Sequence, residues 1–436
     1  MGIYNLVSLA GIFILMGFAW LCSASRKVVN WRVVIWGVGL QFLLALFIFV
    51  VPVGTKFFLF VNGMVVRILD TATAGTRFVF GRLALPPGTA NEAGETSLGS
   101  MLAFQGLPTI IFFAALIGAL YYLGVMPFFV RLFARIFTRL MRVSGAESLC
   151  VSSEIFVGVE SSLVIRPHLA EMTRSELVTI LTAGMATIAS TVLAVYVFFL
   201  QDAIPTIAGH LVSASFLGAP AALVMSKLLM PETEKPKTMG LDIKPTYERD
   251  DNLIMAIISG AWNGLRLLGG IIILLLAFLG LLALLDLILG FCGGYLNQWF
   301  GWHLAWSFKS LLGYVFYPFT LILGVPPADA FSIAKIIGER TVATEVASYQ
   351  DLALLLANKT LVYPRSGLIA SYALCGFAHI ASLAIFVGGI GALVPSRYKD
   401  LSRLGFRALL AATLACLMIG AVAGTFYTGS SIMLGK

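Results

Sequence analysis

The sequence contains few charged residues for its length. Of its 436 residues only 11% are Asp, Glu, Lys or Arg, whereas 59% are hydrophobic. A soluble domain carries about 25% charged residues. Because the deficit extends over the whole chain, it excludes an ordinary soluble domain and indicates a protein that crosses a membrane several times. The net charge of +8 lies mostly in short clusters between apolar segments, so it reports on topology rather than on nucleic-acid binding.

Cysteine and histidine are also scarce. The five cysteines are scattered without a CxxC pair, and the four histidines are equally dispersed. This spacing argues against a disulfide framework and against a zinc site, so we expect no cofactor. No nucleophile lies beside a base at a reactive spacing, which argues against an enzyme. A passive channel remains an alternative, but it needs a continuous polar stripe along several spans, and the polar residues here are concentrated locally.

Apolar windows of about 20 residues, the length that crosses a bilayer as a helix, recur along the chain. The sequence predicts an all-α fold with eight transmembrane helices, at residues 4–22, 33–53, 101–125, 177–200, 203–230, 253–289, 367–393 and 404–427. Clusters of Lys and Arg follow the first, third, fifth and seventh windows, so all four lie on one side, which the positive-inside rule makes cytoplasmic. We therefore predict a multi-pass protein of a cytoplasmic (inner) membrane with both termini outside and an outer loop at residues 71–100.

Two further segments are predicted to lie in the membrane interface. Residues 129–142 place four arginines on one helical face, and residues 299–318 carry tryptophans suited to the opposite interface. A polar linker at 231–252 separates halves with the same order of elements but opposite starting sides, which is typical of the inverted repeats of transporters. The sequence thus predicts four parts: a scaffold at 1–100, a first repeat at 101–230, a cytoplasmic linker at 231–252 and a second repeat at 253–436.

Two stretches are too polar to span a bilayer smoothly and too apolar to be aqueous loops. The stretch at 144–169 carries Glu147, Glu154 and Glu160, and the stretch at 324–349 carries Glu345. We predict a re-entrant helical hairpin from each, at about 146–170 and about 327–357, because turn backbone at membrane depth is tolerated only inside protein or beside a wet cavity. A carboxylate at that depth is costly and indicates a functional site.

Structural roles for these carboxylates remain open alternatives. Glu345 could form an ion pair with a basic neighbour in sequence, and the candidates are Lys335, Arg340 and Lys309. Glu147 could simply cap the first helix of its hairpin.

Small and hydroxyl residues also interrupt the spans after the hairpins, at 184–192 and 376–382. A hydroxyl in a span, such as that of Thr187, is equally explained as a helix–helix hydrogen bond. Histidine in a span is rarer, and we expect His379 to contact Glu345. The two tips and two broken spans enclose carboxylates, hydroxyls, one imidazole and Phe377. This mixture suits a transporter of a polar, uncharged or weakly charged solute with a flat ring and several hydroxyls.

Several motifs resemble the concentrative nucleoside transporter family. They follow the family's order between residues 103 and 389: LPTIIFF at 107–113, LYYLGVM at 120–126, SGAESL at 144–149, IFVG and LVIRP within 155–167, LGVPPADA at 323–330, G-x-R-x-x-x-T-E-V-A-x-Y at 338–349 and YALCGFA at 372–378. Singly LPTIIFF is weak, but the set is highly specific. The resemblance implies a nucleoside symporter driven by Na⁺ or, in some members, H⁺. It also implies eight spans, two re-entrant hairpins, a homotrimer and an elevator-like movement of the substrate domain.

The resemblance also implies substrate contacts. The family's first tip and following span hold the nucleobase, and these positions correspond to Val159, Glu160 and Val192. The second hairpin and the next span hold the base edge and the ribose, and the corresponding residues are Thr344, Glu345, Phe377, His379 and Ser382. A carboxylate that accepts two hydroxyl hydrogen bonds, as Glu345 would, makes a suitable ribose clamp.

The chain departs from the family at the substrate positions. The tip Gly158-Val159-Glu160 is one residue shorter than the usual Gly-Gln-Thr-Glu, and Thr344 and His379 stand where the family has Asn. A free nucleobase or a modified nucleoside is therefore an alternative substrate.

The ion positions differ as well. The family's Na⁺ ligands correspond to Glu154, Val157, Thr187 and Ile188, with an acid in place of an amide. Glu154 could ligate Na⁺ or carry a proton, so both coupling ions remain open.

Overall fold

The computed structural model describes residues 2–91, 94–246, 249–301 and 305–429, with Val159 described by its backbone only. Apart from short 3₁₀ segments, these residues form α1 (Ile3–Leu21), α2 (Trp31–Phe49), α3 (Pro52–Phe80), α4 (Leu102–Gln105), α5 (Thr109–Tyr122), α6 (Val125–Met141), α7 (Gly145–Glu154), α8 (Arg174–Ala186), α9 (Ser190–Leu200), α10 (Ile207–Leu229), α11 (Leu253–Phe300), α12 (Phe308–Ile322), α13 (Pro327–Arg340), α14 (Glu345–Ala357), α15 (Pro364–Ala373), α16 (Ile380–Leu393) and α17 (Tyr398–Phe426). The predicted all-α fold is confirmed. Eight helical segments within the described ranges are long and apolar enough to cross a membrane, and seven of them coincide with predicted windows.

The basic clusters lie together at one end of the helices, which we call the basic end. The Arg32 guanidinium, after α1, donates to the carbonyl of Leu140 near the end of α6 at 2.8 Å. The backbone N–H of Ala24 donates to the carbonyl of Leu229, the last residue of α10, at 2.9 Å. Since α1, α6 and α10 all reach this end, the clusters that follow the first, third and fifth predicted spans share one side.

The beginning of α1 and the end of α17 meet at the opposite end, which we call the terminal end. The Asn5 side-chain amide donates to the carbonyls of Thr425 and Tyr427 at 2.9 and 2.7 Å. Arg365 completes this junction, because its guanidinium donates to the carbonyls of Tyr4 and Gly424, both at 2.8 Å. One arginine thereby ties together α1, α15 and α17.

The prediction of a loop at 71–100 is wrong for its first third, because α3 continues to Phe80. Both ends of α3 lie at the terminal end: it starts directly after α2, and the ring of Phe80 lies 5.3 Å from that of Phe104, before α5. Halfway along it, the Asn62 side-chain oxygen accepts from the N–H of Gly209, in the first turn of α10, at 3.0 Å. The helix therefore lies across this end of the bundle. Its charged residues, including Lys56 and Arg67, diluted the apolar pattern that marks a span.

The long helix α11 extends past its predicted window to Phe300, so Trp299 belongs to it rather than to a separate interfacial segment. Trp302 lies outside the described residues, and the helix within the predicted interfacial segment begins only at Phe308. Small residues let α11 pack closely on α5: a methyl group at Gly260 would come within 2.5 Å of the Ala114 carbonyl. Glycines spaced four apart commonly allow such contact between membrane helices.

Each polar stretch folds as a hairpin, and a broken helix follows each hairpin. Hairpin 1 consists of α7 and a 3₁₀ arm (Val159–Glu171), and hairpin 2 of α13 and α14. The predicted span at 367–393 is divided into α15 and α16, and Gly376 sits in the gap with a φ of +152°. A methyl group there would come within 2.6 Å of the Cys416 sulfur and 3.0 Å of the Met185 carbonyl. Glycine is required because the two broken helices cross at this point.

Candidate functional site

A cavity of about 350 Å³ lies between the hairpin tips, the broken helices and the two helices α5 and α11. Its lining includes seven residues predicted to contact substrate: Glu160, Val192, Thr344, Glu345, Phe377, His379 and Ser382. The eighth, Val159, has no described side chain. The lining is mostly apolar with a few convergent polar groups, which is the usual character of a small-molecule site.

Glu345 occupies the centre of the polar side of this cavity and is buried. It is the first residue of α14, and Thr344 caps that helix by accepting from the N–H of Ala347. A carboxylate is favourable at a helix N-terminus because it faces unpaired N–H groups. Its two oxygens have separate partners: Oε1 accepts from the Tyr196 hydroxyl at 2.8 Å, and Oε2 lies 2.8 Å from Nε2 of His379.

The hydrogen bonds of His379 fix its tautomer. This residue caps α16, and its Nδ1 accepts from the N–H of Ser382 at 3.1 Å. Since Nδ1 is an acceptor, Nε2 carries the proton and faces Oε2 of Glu345 in a close polar contact. This is the contact that the sequence predicted for His379.

The alternative ion pairs of Glu345 do not form among the described residues. Lys309 instead contacts both Glu339 and Asp351. Arg340 donates to the carbonyl of Ala373, and the Lys335 ammonium lies over the ring of Phe331 at 4.7 Å. The carboxylate of Glu345 is thus left to Tyr196, His379 and the cavity.

Glu160 lines the opposite part of the cavity, in the first turn of the 3₁₀ arm, and its side chain is exposed. The next two residues, Ser161 and Ser162, are buried within hairpin 1. Glu160 therefore presents an acceptor to whatever fills the cavity, and Glu345 presents another from hairpin 2.

The sequence did not predict the cavity wall formed by α5 and α11, nor the hydroxyl that contacts Glu345. Tyr121 on α5 and Asn263 on α11 line the cavity, and so do Arg249 and Asp250 just before α11. Tyr196, which supplies this hydroxyl, was also not predicted. Its place in the broken span, six residues after Ser190, could have marked it as a candidate, because a polar ring in such a span needs a partner. The four lining residues on α5, on α11 and just before α11 belong to segments whose pattern indicates only ordinary spans or a linker.

Of the four predicted ion ligands, Glu154 and Thr187 are in contact where the tip of hairpin 1 meets the gap between α8 and α9. The Thr187 hydroxyl lies 3.1 Å from the backbone carbonyl oxygen of Glu154 and 2.9 Å from that of Ala183, so its one proton is shared between these two acceptors. The carbonyl of Ile188 accepts from Ser215 at 3.3 Å, while Val157 lines the cavity. The carboxylate of Glu154 is buried and contacts Ser161 through Oε1. Its Oε2 atom has no hydrogen-bond partner in the described part of the chain.

Glu147 has a structural environment. Its Oε1 lies 2.7 Å from the Lys227 ammonium, and both side chains are almost fully buried at the basic end. Its N–H donates to the Ser144 hydroxyl, which caps α7. The predicted capping position is therefore present, together with an ion pair that the sequence did not predict.

Three family profiles match the chain. The profile described as "Na+ dependent nucleoside transporter C-terminus" matches residues 210–424, and the corresponding N-terminus profile matches residues 10–83. The profile described as "Gate: Nucleoside recognition" matches residues 103–203, which include hairpin 1 and the first broken helix.

Similar proteins cover almost the whole chain. "Solute carrier family 28 member 3" of Mus musculus is 37% identical over 438 residues, which are 97% of this chain and 59% of that protein. An "Uncharacterized transporter" of Haemophilus influenzae is 35% identical over 97% of both chains. The chain thus spans about three fifths of the mammalian relatives. A solved structure of CNTnw in an inward-facing substrate-bound state is 33% identical, has a TM-score of 0.85, and covers 97% of this chain and 98% of its own.

Proposed function

Since the chain belongs to the concentrative nucleoside transporter family, we propose that it imports nucleosides by symport with a cation. A family of transporters agrees with the prediction that the chain is not an enzyme. The observation that carries the proposal is the cavity with Glu345 at its polar side, held by Tyr196 and His379. A carboxylate has about four lone-pair positions, so it can accept from substrate hydroxyls while it keeps both protein partners.

We propose that the ribose binds at hairpin 2 and the nucleobase at hairpin 1. Thr344, Glu345, His379 and Ser382 would surround the ribose, with Phe377 at the base edge. Val159, Glu160 and Val192 would hold the base, because this group combines apolar surface with one exposed acceptor. A free nucleobase lacks the ribose hydroxyls that Glu345 would accept from, so this geometry favours a nucleoside over the alternative substrate.

The proposed coupling cation is Na⁺, which the matching profiles and relatives such as "Sodium/nucleoside cotransporter 1" name. The proposed site consists of Glu154, Val157, Thr187 and Ile188. Oxygen ligands suit a hard cation of this kind, and broken membrane helices commonly coordinate Na⁺ through carbonyls at their gaps. The negative charge of Glu154 would be balanced when the cation binds.

We further propose the setting of this transport. The basic end faces the cytoplasm of a cell with an inner membrane, both chain termini lie outside, and the two hairpins are re-entrant. Three copies form a homotrimer. The hairpins and broken helices of the two repeats, at 101–230 and 253–436 and joined by the linker at 231–252, move the site across the membrane as an elevator.

Uptake by the purified protein in proteoliposomes tests the proposal. Radiolabelled uridine and adenosine are supplied first under an inward Na⁺ gradient and then under a pH gradient alone. We expect accumulation under the Na⁺ gradient, and protein-free liposomes serve as the control. Accumulation under the pH gradient alone would reassign the cation to H⁺, and no uptake of either nucleoside under both gradients would contradict nucleoside symport.

We predict that Glu154→Gln removes the dependence of uptake on the coupling ion, because the variant no longer supplies a buried negative charge to balance a cation. The measurement is the initial uptake rate as a function of external Na⁺. The matched control is Glu234→Gln, an exposed site in the linker, which should keep the wild-type curve. An unchanged Na⁺ dependence in the Glu154 variant would count against its role at the ion site.

A further inference from the structure

The hairpin tips contact the broken helices in the same way in both repeats. In the first repeat, the N–H of Ser190, which begins α9, donates to the carbonyl of Phe156 at 3.2 Å. In the second, the N–H of Ile380, which begins α16, donates to the carbonyl of Thr341 at 3.1 Å. We call these two junctions the first crossing (residues 154–158 with 187–190) and the second crossing (residues 340–344 with 374–380). The two repeats therefore share the backbone hydrogen bond that joins each hairpin tip to the gap in the broken helix.

Glu154 and Arg340 hold similar places in the two crossings, one residue apart when the two tip-to-gap hydrogen bonds are aligned. Glu154 is the last residue of α7, and Arg340 is the last residue of α13. Each is thus the final residue of the first arm of its hairpin. Each also lies against the end of the helix that precedes the gap: Thr187, just after α8, contacts the Glu154 carbonyl, and Arg340 contacts Ala373, the last residue of α15.

The two residues bring opposite charges to these similar places. Glu154 is a buried carboxylate whose Oε2 has no hydrogen-bond partner among the residues described. Arg340 is a fully buried guanidinium whose Nη1 donates to the carbonyl of Ala373 at 2.5 Å. Its Nε and Nη2 atoms have no nitrogen or oxygen partner within the described ranges, although the Cys416 thiol also contacts the guanidinium, and no carboxylate there pairs with it. The first crossing therefore contains an anion without a cation, and the second contains a cation without an anion.

The second crossing stabilises its cation with backbone dipoles. The last carbonyls of a helix are unpaired and carry a partial negative charge, and Ala373 is the last residue of α15. Carbonyls at the C-terminal ends of broken membrane helices are also what coordinates coupling cations in transporters. The guanidinium of Arg340 is thus placed where a mobile cation would otherwise be held.

We propose that Arg340 is the resident cation of the second crossing, so that only the first crossing takes an exchangeable cation and one cation moves with each substrate molecule. The number of cations rests on the proposed symport. The electrostatic role of the guanidinium does not, because it concerns the stability of the fold around α13, α14 and α15.

Chemical rescue tests this role without any nucleoside. Arg340→Ala removes the guanidinium and leaves a space of its shape, so we expect a melting temperature in detergent several degrees below that of the wild type. Guanidinium chloride at a concentration far below denaturing levels should restore part of the loss. Urea has nearly the same shape without the charge and should not, and the wild type should respond to neither. Equal rescue by urea, or no rescue of a folded variant, would overturn the proposal.

A second pair of variants covers the case in which the alanine variant does not fold. Arg340→Lys keeps the charge and Arg340→Met keeps a similar volume without it. We expect the Lys variant to fold and to melt near the wild-type temperature, and the Met variant to melt well below it. Equal melting temperatures for the two variants would contradict a role based on charge.

The transport ratio tests the number of cations. Proteoliposomes containing wild-type protein are loaded with uridine at a defined Na⁺ gradient and membrane voltage, and the uridine gradient at which net flux reverses gives the ratio directly. We expect one Na⁺ per uridine, and a ratio of two would overturn the single exchangeable site. If no uridine moves at all, the proposed function fails, and the guanidinium rescue alone decides the role of Arg340.

Discussion

Replacement of Glu345 by Gln is expected to abolish uptake. Both groups that contact this carboxylate are donors, namely the Tyr196 hydroxyl and the protonated Nε2 of His379, each at 2.8 Å. An amide has one oxygen and one NH₂, so Gln removes the negative charge and one of the two acceptor oxygens that the carboxylate offers to substrate hydroxyls. A hydrogen bond to a charged group contributes about 1.5–3 kcal/mol, so the loss of the two hydroxyl hydrogen bonds proposed for Glu345 corresponds to a loss of about a hundredfold or more in substrate affinity. The measurement is uridine uptake in proteoliposomes together with binding in detergent.

The control for this variant separates binding from folding. Asp242→Asn removes a carboxylate of similar chemistry from an exposed pair with Arg135, and uptake should stay at the wild-type level. The Glu345 variant should still elute as the wild-type assembly in size-exclusion chromatography, because its side chain faces the cavity. Normal uptake by a Glu345→Gln protein would contradict the assignment of Glu345 to the substrate site.

The contact between Glu345 and His379 shows how much of the site the sequence could predict. Both residues are ionisable groups within apolar segments, where burying either one without a partner is energetically unfavourable. Each therefore needs a polar partner, and in a small protein interior each is the nearest candidate for the other. The same cost makes the hairpins and broken helices visible, since they combine small residues with charges where a smooth span has neither. Polar and charged residues within apolar segments can therefore be recognised as site residues from the sequence alone.

The sequence did not predict the features whose local residue pattern is that of an ordinary helix. Asn263 on α11 and Tyr121 on α5 line the cavity, yet each lies in a helix with an ordinary apolar pattern. The sequence predicts a loop for the last part of α3, because the place of this helix across the terminal end depends on contacts such as that between Asn62 and Gly209, 147 residues apart in the chain. Only the fold determines which neighbours such residues have.

The ion pair between Lys227 and Glu147 also joins residues far apart in sequence. It links the end of α10 to the start of hairpin 1, with 2.7 Å between the ammonium and the Glu147 carboxylate. The same ammonium lies 3.6 Å from Glu232 at the start of the linker and 3.0 Å from the Ser175 hydroxyl on α8. The side chains of Lys227, Glu147 and Glu232 are 2%, 1% and 8% exposed. One cation therefore balances two carboxylates that water hardly reaches.

Replacement of Lys227 by Met is accordingly expected to destabilise the protein by about 3–5 kcal/mol, because it leaves two buried carboxylates without a counter-charge. Lys237→Met is the matched control: Lys237 pairs with Glu171 at 2.6 Å at the same end of the molecule, but the two side chains are 64% and 52% exposed. An exposed pair contributes only about 0–1 kcal/mol, so this control should melt close to the wild-type temperature. The measurement is the thermal unfolding of both variants in the same detergent.

Adding Glu147→Gln to the Lys227 variant should recover part of the loss, since it removes one of the unpaired charges. Equal melting temperatures for the Lys227 and Lys237 variants would mean that the buried cluster is hydrated, and hairpin 1 would then be anchored mainly by its backbone contacts, such as the 2.8 Å hydrogen bond from the N–H of Gly145 to the carbonyl of Thr238.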